Sequence, residues 1–232
     1  MRRPKYNVLK HKNCNDFYYL IGLICTDGTV IRKNQTPSAI GSRCSIVQHT
    51  KQKDLLEAIK SKFGGIVVHE TKTKSSRWTI SDAAFVEYLI NTVGIQNNKT
   101  HTLDVARWFD TLSEKRKRFF VRGVLDGDGN VFHDAKRDKF HKISIFSCSK
   151  AFITMLSAYF DSSKIYTQKA RPNTWSKQDG YNVVFSGKRC VRYFTPIFNT
   201  VKLDGLFLKH KYNKFLKIKQ RYGPIPFTDP IH

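Results

Sequence analysis

Two aspartates in this chain share one unusual context. Asp27 closes the segment LIGLICTDG (Leu20–Gly28), and Asp128 closes VRGVLDGDG (Val121–Gly129). Each follows a mostly apolar, helix-forming run with a glycine in its middle, and each is followed at once by another glycine. An aspartate at a helix C-terminus meets the negative end of the macrodipole, at a cost of about 0.3–1 kcal/mol. Two such ends side by side are worse, unless a divalent cation lies between them. Two carboxylates and the free helix-end carbonyls then make an all-oxygen donor set. It suits Mg²⁺ or Mn²⁺, which keep waters and take phosphate oxygens as remaining ligands. A metal so held generates a nucleophile from water and stabilises the departing oxygen of a phosphodiester. Asp-Gly is also a common surface turn, but the recurrence of the whole context argues against two plain turns.

The surrounding elements must bring those aspartates together. A glycine inside a helix costs roughly 1 kcal/mol relative to alanine and is tolerated where another backbone approaches closely. Gly22 and Gly123 therefore predict two helices in tight contact, while Gly28 and Gly129 fit the left-handed residue just past a helix end. The chain repeats with a period of about a hundred residues. FYYLIGLICTDGTVI from Phe17 matches FFVRGVLDGDGNVF from Phe119, and strand-like RCSIVQHT from Arg43 matches HKISIFSCS from His141. Amphipathic helices follow: Leu55, Leu56, Ile59 and Phe63 share one face in the first copy, and Phe152, Met155, Leu156 and Tyr159 in the second. More β-prone sequence comes next (GIVVHETKTKSSRWTI and KIYTQKARPNTWSKQDGYNVVF), then closing helices near Asp82–Asn91 and Lys188–Phe198. The expected class is α+β, with two pseudo-symmetric αββαββα halves over residues 1–100 and 114–232. Residues 101–113 form the linker, ending in Ser113 as the N-cap of the helix that opens EKRKRFFVRG. A basic terminal helix is expected to stop at Gly223-Pro224.

Charge points to the partner. The 232 residues carry 41 Lys+Arg against 18 Asp+Glu, net +23, which calls for a polyanion such as nucleic acid. Composition alone fits a non-catalytic basic protein equally well. The excess is shared: residues 1–112 hold 17 basic and 9 acidic side chains, and residues 113–232 hold 24 and 9. Cys14, Cys25, Cys44, Cys148 and Cys190 are odd in number and lack C-x-x-C spacing, which favours neither a zinc knuckle nor a disulfide framework. A reducing intracellular setting follows, the cytoplasm of a prokaryote or an organelle interior. The apolar run from Phe17 to Cys25 is too short to span a bilayer and no signal-cleavage pattern follows the N-terminus, so a soluble protein with no membrane partner is expected. The histidines show no H-x-E or H-E-x-x-H pairing, and no Walker-type loop is present.

LIGLICTDG and VRGVLDGDG resemble the paired motifs of the LAGLIDADG homing endonucleases, and the similarity of layout covers nearly the whole chain. The resemblance implies motif helices packed at a central interface, with each half offering a curved antiparallel sheet to the DNA major groove. It also implies Mg²⁺-dependent hydrolysis of both strands of a long asymmetric site. By resemblance Asp27 and Asp128 are the metal ligands, with the carbonyls of Thr26 and Gly127 as additional ones. Gln48 matches the polar residue near the attacking water, with Ser147 as its looser counterpart. Lys99 matches the basic residue near the scissile phosphate; in the second half Lys211 takes that place, with Lys209 as the alternative. Cys25 departs from the family aspartate that the second copy keeps as Asp126, a position that is not the metal ligand. Thr26 stands where a smaller residue is common.

If the strands line the groove, DNA-contacting candidates in the first half are Arg32, Asn34, Gln35, Arg43, Lys72, Lys74 and Arg77. Those in the second are His133, Lys136, Arg137, Lys139, Lys142, Lys169, Arg171, Asn173 and Lys177. Arginine and glutamine suit bidentate base contacts, and lysine suits phosphates. Trp78, Trp108 and Trp175 fit core or sheet-edge packing better than base stacking. The expected partner is a double-stranded DNA target, met by a monomer because both motifs lie on one chain. The competing readings are an RNA maturase acting on intron RNA, a non-cleaving DNA-binding regulator on the same scaffold, and an unrelated basic binding protein. The initial Met1 and the lack of splicing flanks disfavour an intein-embedded domain.

Overall fold

A computed structural model describes residues 6–33, 41–134, 140–161, 164–169 and 179–223. In the first half it contains α1 (Asn15–Asp27), β1 (Gly28–Ile31), β2 (Arg43–His49), α2 (Lys53–Phe63), β3 (Ile66–Glu70), β4 (Ser75–Ile80) and α3 (Ala83–Tyr88). After α4 (Ala106–Asp110) the same series returns as α5 (Glu114–Gly127), β5 (Gly129–His133), β6 (His141–Ser147), α6 (Lys150–Tyr159), β7 (Ile165–Gln168), β8 (Gly180–Ser186) and α7 (Lys188–Asn199). Two further helices, α8 (Val201–Asp204) and α9 (Lys209–Tyr222), extend the second half. The αββαββα order expected for each half is the order observed.

The strands form two open antiparallel sheets of matching topology, β1-β2-β4-β3 and β5-β6-β8-β7. Side chains alternate across each sheet. Cys44, Ile46, Trp78 and Ile80 point inward from the first, and Ile143, Ile145, Val183 and Phe185 from the second, all buried. They join residues of both motif helices in a single hydrophobic cluster that runs through both halves. The opposite face of each sheet carries exposed side chains, among them Val47, Ile66 and Val68 on one and Phe132 and Tyr166 on the other.

Helix α1 is apolar on every side, and every residue from Phe17 to Cys25 is buried. A helix of that kind must be enclosed by protein all round, and the element that encloses it most extensively is α5. Gly22 and Gly123 lie at the crossing. A Cβ on Gly22 would strike the backbone carbonyl of Phe120, and one on Gly123 that of Tyr19. These reciprocal approaches express the pseudo-twofold relation between the halves.

Several local expectations are corrected. Gly28 is not left-handed: its backbone is extended (φ −88°, ψ 154°), and α1 runs directly into β1. Gly129 likewise has no positive φ. Glycine is needed there for space, because a Cβ would collide with Ile24 backbone at Gly28 and with Leu125 at Gly129. Ser113 occupies the N-cap of α5 but makes no side-chain capping bond. The closing helix expected near Asp82–Asn91 is α3 followed without a break by a π-helical turn, Leu89–Val93, which ends at left-handed Gly94 (φ 92°). Trp78 and Trp108 are buried, their indole N–H groups donating to the Gly64 carbonyl (2.8 Å) and the Tyr88 hydroxyl (3.3 Å). Trp175 lies outside the described residues. All five cysteines are free thiols. No helix among the described residues is long and apolar enough to cross a membrane.

Candidate metal centre and nucleic-acid interface

The crossing of α1 and α5 brings their C-terminal ends together. Asp27 is the last residue of α1, and Asp128 follows the last residue of α5. The ends are close enough that a Cβ on Gly127 would meet the Thr26 side chain and, at 2.9 Å, the Asp27 carboxylate. Burial, and then the neighbouring Asp128 charge, push the Asp27 carboxyl up to about 6, against the opposing pull of Lys211, Gln48 and Lys99. Burial also raises the Asp128 carboxyl, against Lys99 and Lys211.

Two lysines cap the helix ends. Lys99 Nζ donates to the Thr26 carbonyl at 2.9 Å. Lys211 Nζ donates to the carbonyls of Leu125 (2.8 Å), Asp126 (2.6 Å) and Gly127 (3.1 Å). Each amine is lowered from the ordinary lysine range chiefly by burial. Lys209, the alternative in the second half, sits exposed at the start of α9, two residues away from the site lysine.

Gln48, on the inward side of β2, donates its amide N–H to Asp27 Oδ2 at 2.5 Å. The register locates its counterpart: Gly28 faces Ile46 and Gly129 faces Ile145, so Ser147 stands where Gln48 stands in the first half. The shorter Ser147 hydroxyl accepts instead from the Ser149 backbone N–H at 3.1 Å. The surroundings of the two carboxylates are therefore unequal.

Asp126 and Cys25 also diverge. Asp126 is buried and accepts from the Tyr19 hydroxyl (2.9 Å) and from the backbone N–H of Leu208 (3.0 Å), the N-cap of α9. A carboxylate at a helix N-terminus is favourable, and this one pins the helix that carries Lys211. Cys25 is buried, its thiol pushed up to about 12 by desolvation. Sequence reasoning passed over the Asp126 role because Leu208 lies far along the chain; its only sequence signal is the difference between the two motif copies.

The donor set fits a hard divalent ion: two desolvated carboxylates of like charge beside helix-end carbonyls. Among the described residues no group of three or more His, Cys, Asp or Glu side chains is assembled, so the carboxylate pair is the only acidic contribution there. The pair also has a pH signature. Because the native Asp27 pKa lies above that of the unfolded chain, stability falls as pH rises from about 4 to about 6, and the full penalty persists above that. Its upper bound is about 3 kcal/mol, reduced by partial solvent exposure. Mg²⁺ is therefore expected to raise the melting temperature more at pH 7.5 than at pH 5. Equal shifts at both would count against ion binding at this pair.

The DNA-contact candidates are dispersed over several environments. Arg43, Arg77 and Lys142 lie on the open sheet faces, and Lys72 and Lys74 in the exposed β3–β4 turn. Lys169, at the end of β7, is ion-paired with Asp179 at 2.8 Å. Arg32 is held by Glu87 (2.6 Å) and Asn91 (3.1 Å). His133 stacks on buried His141, ring centroids 5.0 Å apart, and so faces inward rather than onto the open sheet. Asn34, Gln35, Lys136, Arg137, Lys139, Arg171, Asn173 and Lys177 lie outside the described residues.

No protein-family model matches the chain, and no curated protein matches it. Solved structures do. The I-SmaMI LAGLIDADG homing endonuclease bound to cleaved DNA is 13% identical with a TM-score of 0.57, over 88% of this chain and 87% of that one. Meganuclease I-SmaMI bound to uncleaveable DNA with a TTCT central four is 13% identical with a TM-score of 0.54, over 88% of each chain. The chain has the two-half LAGLIDADG homing endonuclease fold.

Proposed function

We propose that this protein is a site-specific DNA endonuclease that cuts both strands of a long asymmetric duplex site with a divalent metal, Mg²⁺ or Mn²⁺. The observation that carries the reading is the meeting of Asp27 and Asp128 at the ends of two crossing helices, flanked by Lys99 and Lys211. The fold it shares with I-SmaMI, bound to cleaved DNA, supports it. So do the two open antiparallel sheet faces, which carry the basic side chains of Arg43, Arg77 and Lys142 outward, toward a polyanion.

In this reading Asp27 and Asp128 hold the metal, and the second lone pairs of the Thr26 and Gly127 carbonyls complete the protein donors. The bound metal would activate water and offset charge on the departing oxygen. Gln48 fixes the orientation of the Asp27 carboxylate through its amide N–H, leaving its amide oxygen to orient the attacking water. Lys99 and Lys211 hold positive charge where the scissile phosphates would lie, one per strand. Arg43, Arg77 and Lys142 present donors to the groove, while Lys72 and Lys74 suit phosphates at its edges. Residues 1–100 and 114–232 act as the two halves of a monomer, joined by 101–113.

The test is selection of cleaved molecules from a randomised duplex library. With Mg²⁺ present, one extended asymmetric sequence is expected to emerge, and EDTA is expected to abolish its recovery. Recovery unchanged by EDTA, or no cleaved sequence in any divalent metal, overturns the proposal.

A further inference from the structure

The open faces of the two sheets carry corresponding rows of side chains with different chemistry. In the first sheet Val47 pairs with Arg77 and Arg77 with Val68. In the second, Phe146 pairs with Asn182 and Asn182 with Tyr166. The rows are equivalent, since each begins one residue beyond the partner of a motif glycine, Ile46 opposite Gly28 and Ile145 opposite Gly129. Residues opposite one another in a sheet point to the same side, roughly 4.8 Å apart. Each row is therefore three side chains abreast, a polar one between two apolar ones.

Both rows face outward. The residues next to them along the strands, Ile46 and Trp78 in one sheet and Ile145 and Val183 in the other, are fully buried. Val47, Val68 and Tyr166 are 38%, 60% and 48% exposed. Arg77 is exposed, and no acidic side chain pairs with it among the described residues. Asn182 Nδ2 donates to Gln168 Oε1 at 3.5 Å, at the long limit of a hydrogen bond and readily exchanged.

A guanidinium presents two parallel donors that match O6 and N7 of guanine, and a carboxamide presents a donor and an acceptor that match N7 and N6 of adenine. Apolar neighbours on both sides keep water from satisfying these groups once a duplex covers them. A wrong base then leaves a desolvated donor or acceptor without a partner, which is what makes discrimination large. A lysine serving only as a phosphate contact has no need of such flanks.

We propose that Arg77 selects a guanine in the arm of the target beneath the first sheet, and that Asn182 selects an adenine at the pseudo-symmetric position of the other arm. The inference rests on the reading that a DNA duplex docks against these faces. It adds which bases are chosen and which residues make the target asymmetric at this step.

The experiment is selection of bound and cleaved sites from a randomised duplex library by the parent protein, Arg77→Asn, Asn182→Arg and Asn182→Ala. The parent is expected to select guanine in one arm and adenine at the pseudo-twofold-related position of the other. Arg77→Asn is expected to exchange that guanine for adenine and to weaken binding to the parent site roughly 5- to 150-fold, the worth of one bidentate base contact. Asn182→Arg is expected to exchange adenine for guanine, and Asn182→Ala to lose the preference there while the guanine arm is kept. All four proteins should melt alike, because both positions are on exposed sheet faces. If the parent selects a defined site but the variants leave its base preferences unchanged, this inference fails alone. If the parent selects no duplex sequence at all, the endonuclease reading fails and takes the inference with it.

Discussion

Asp27→Asn and Asp128→Asn are each expected to leave duplex DNA binding in place while lowering double-strand cleavage on the order of 10²–10³-fold, the scale seen when one electrostatic stabiliser is removed from a preorganised site. Asparagine keeps the shape of the side chain and removes the charge that would hold the metal. Neither substitution removes stability from the metal-free fold. Burial raises both carboxyls, and the neighbouring Asp128 charge adds to the rise at Asp27, which reaches about 6, so an ionised carboxylate at either position is a net cost to the metal-free fold. Either neutral variant should therefore melt at or above the parent temperature in EDTA at pH 7.5. Gel-shift binding, plasmid linearisation and thermal melting on the same preparations check the three parts together. Full linearisation by either variant would remove these aspartates from the chemistry.

Gly22→Ala and Gly123→Ala are expected to destabilise the protein by about 3 kcal/mol each, measured by urea denaturation. Alanine is the better helix former by roughly 1 kcal/mol in an exposed helix, so the sign is informative. At the crossing of α1 and α5 the added Cβ meets a backbone carbonyl, Phe120 in one case and Tyr19 in the other. A carbonyl in a helix cannot rotate away as a side chain can, so the helices must separate. Separation also draws Thr26 away from Gly127 and parts the acidic tips, so residual folded protein should cleave slowly. A neutral or stabilising effect in either variant would mean that the two helices do not approach as described.

The part of the molecule legible in the residue string is the part governed by local rules. The αββαββα order in each half follows from periodicity: four apolar positions of α2 on one face, alternation in β2 and β6, and Gly-interrupted apolar runs in α1 and α5. The repeat carried the expectation that two motif helices meet, because two glycines costly in isolation make sense only against another backbone. Turn chemistry misled at Gly28 and Gly129, where Asp-Gly reads as a left-handed cap. The demand there is steric, set by Ile24 and Leu125 one helical turn earlier; α1 runs straight into β1, and Asp128 makes the step from α5 into β5 without a left-handed residue.

What the string left open are relations between residues that neither lie near one another nor repeat. Composition marked the chain as basic throughout, yet which basic groups stand free is a matter of partners. Arg32 is taken by Glu87, Lys169 by Asp179, and His133 by His141, while Arg77 is left outward between two valines. The choice between Lys209 and Lys211 turns on which face of α9 meets the end of α5. Asp126 gains its purpose only when Leu208 arrives from far along the chain. Helical and strand periods are intrinsic to the backbone and can be read in one dimension. Hydrogen-bond partners and desolvation depend on distances between segments, which exist only after the two halves have closed around α1 and α5.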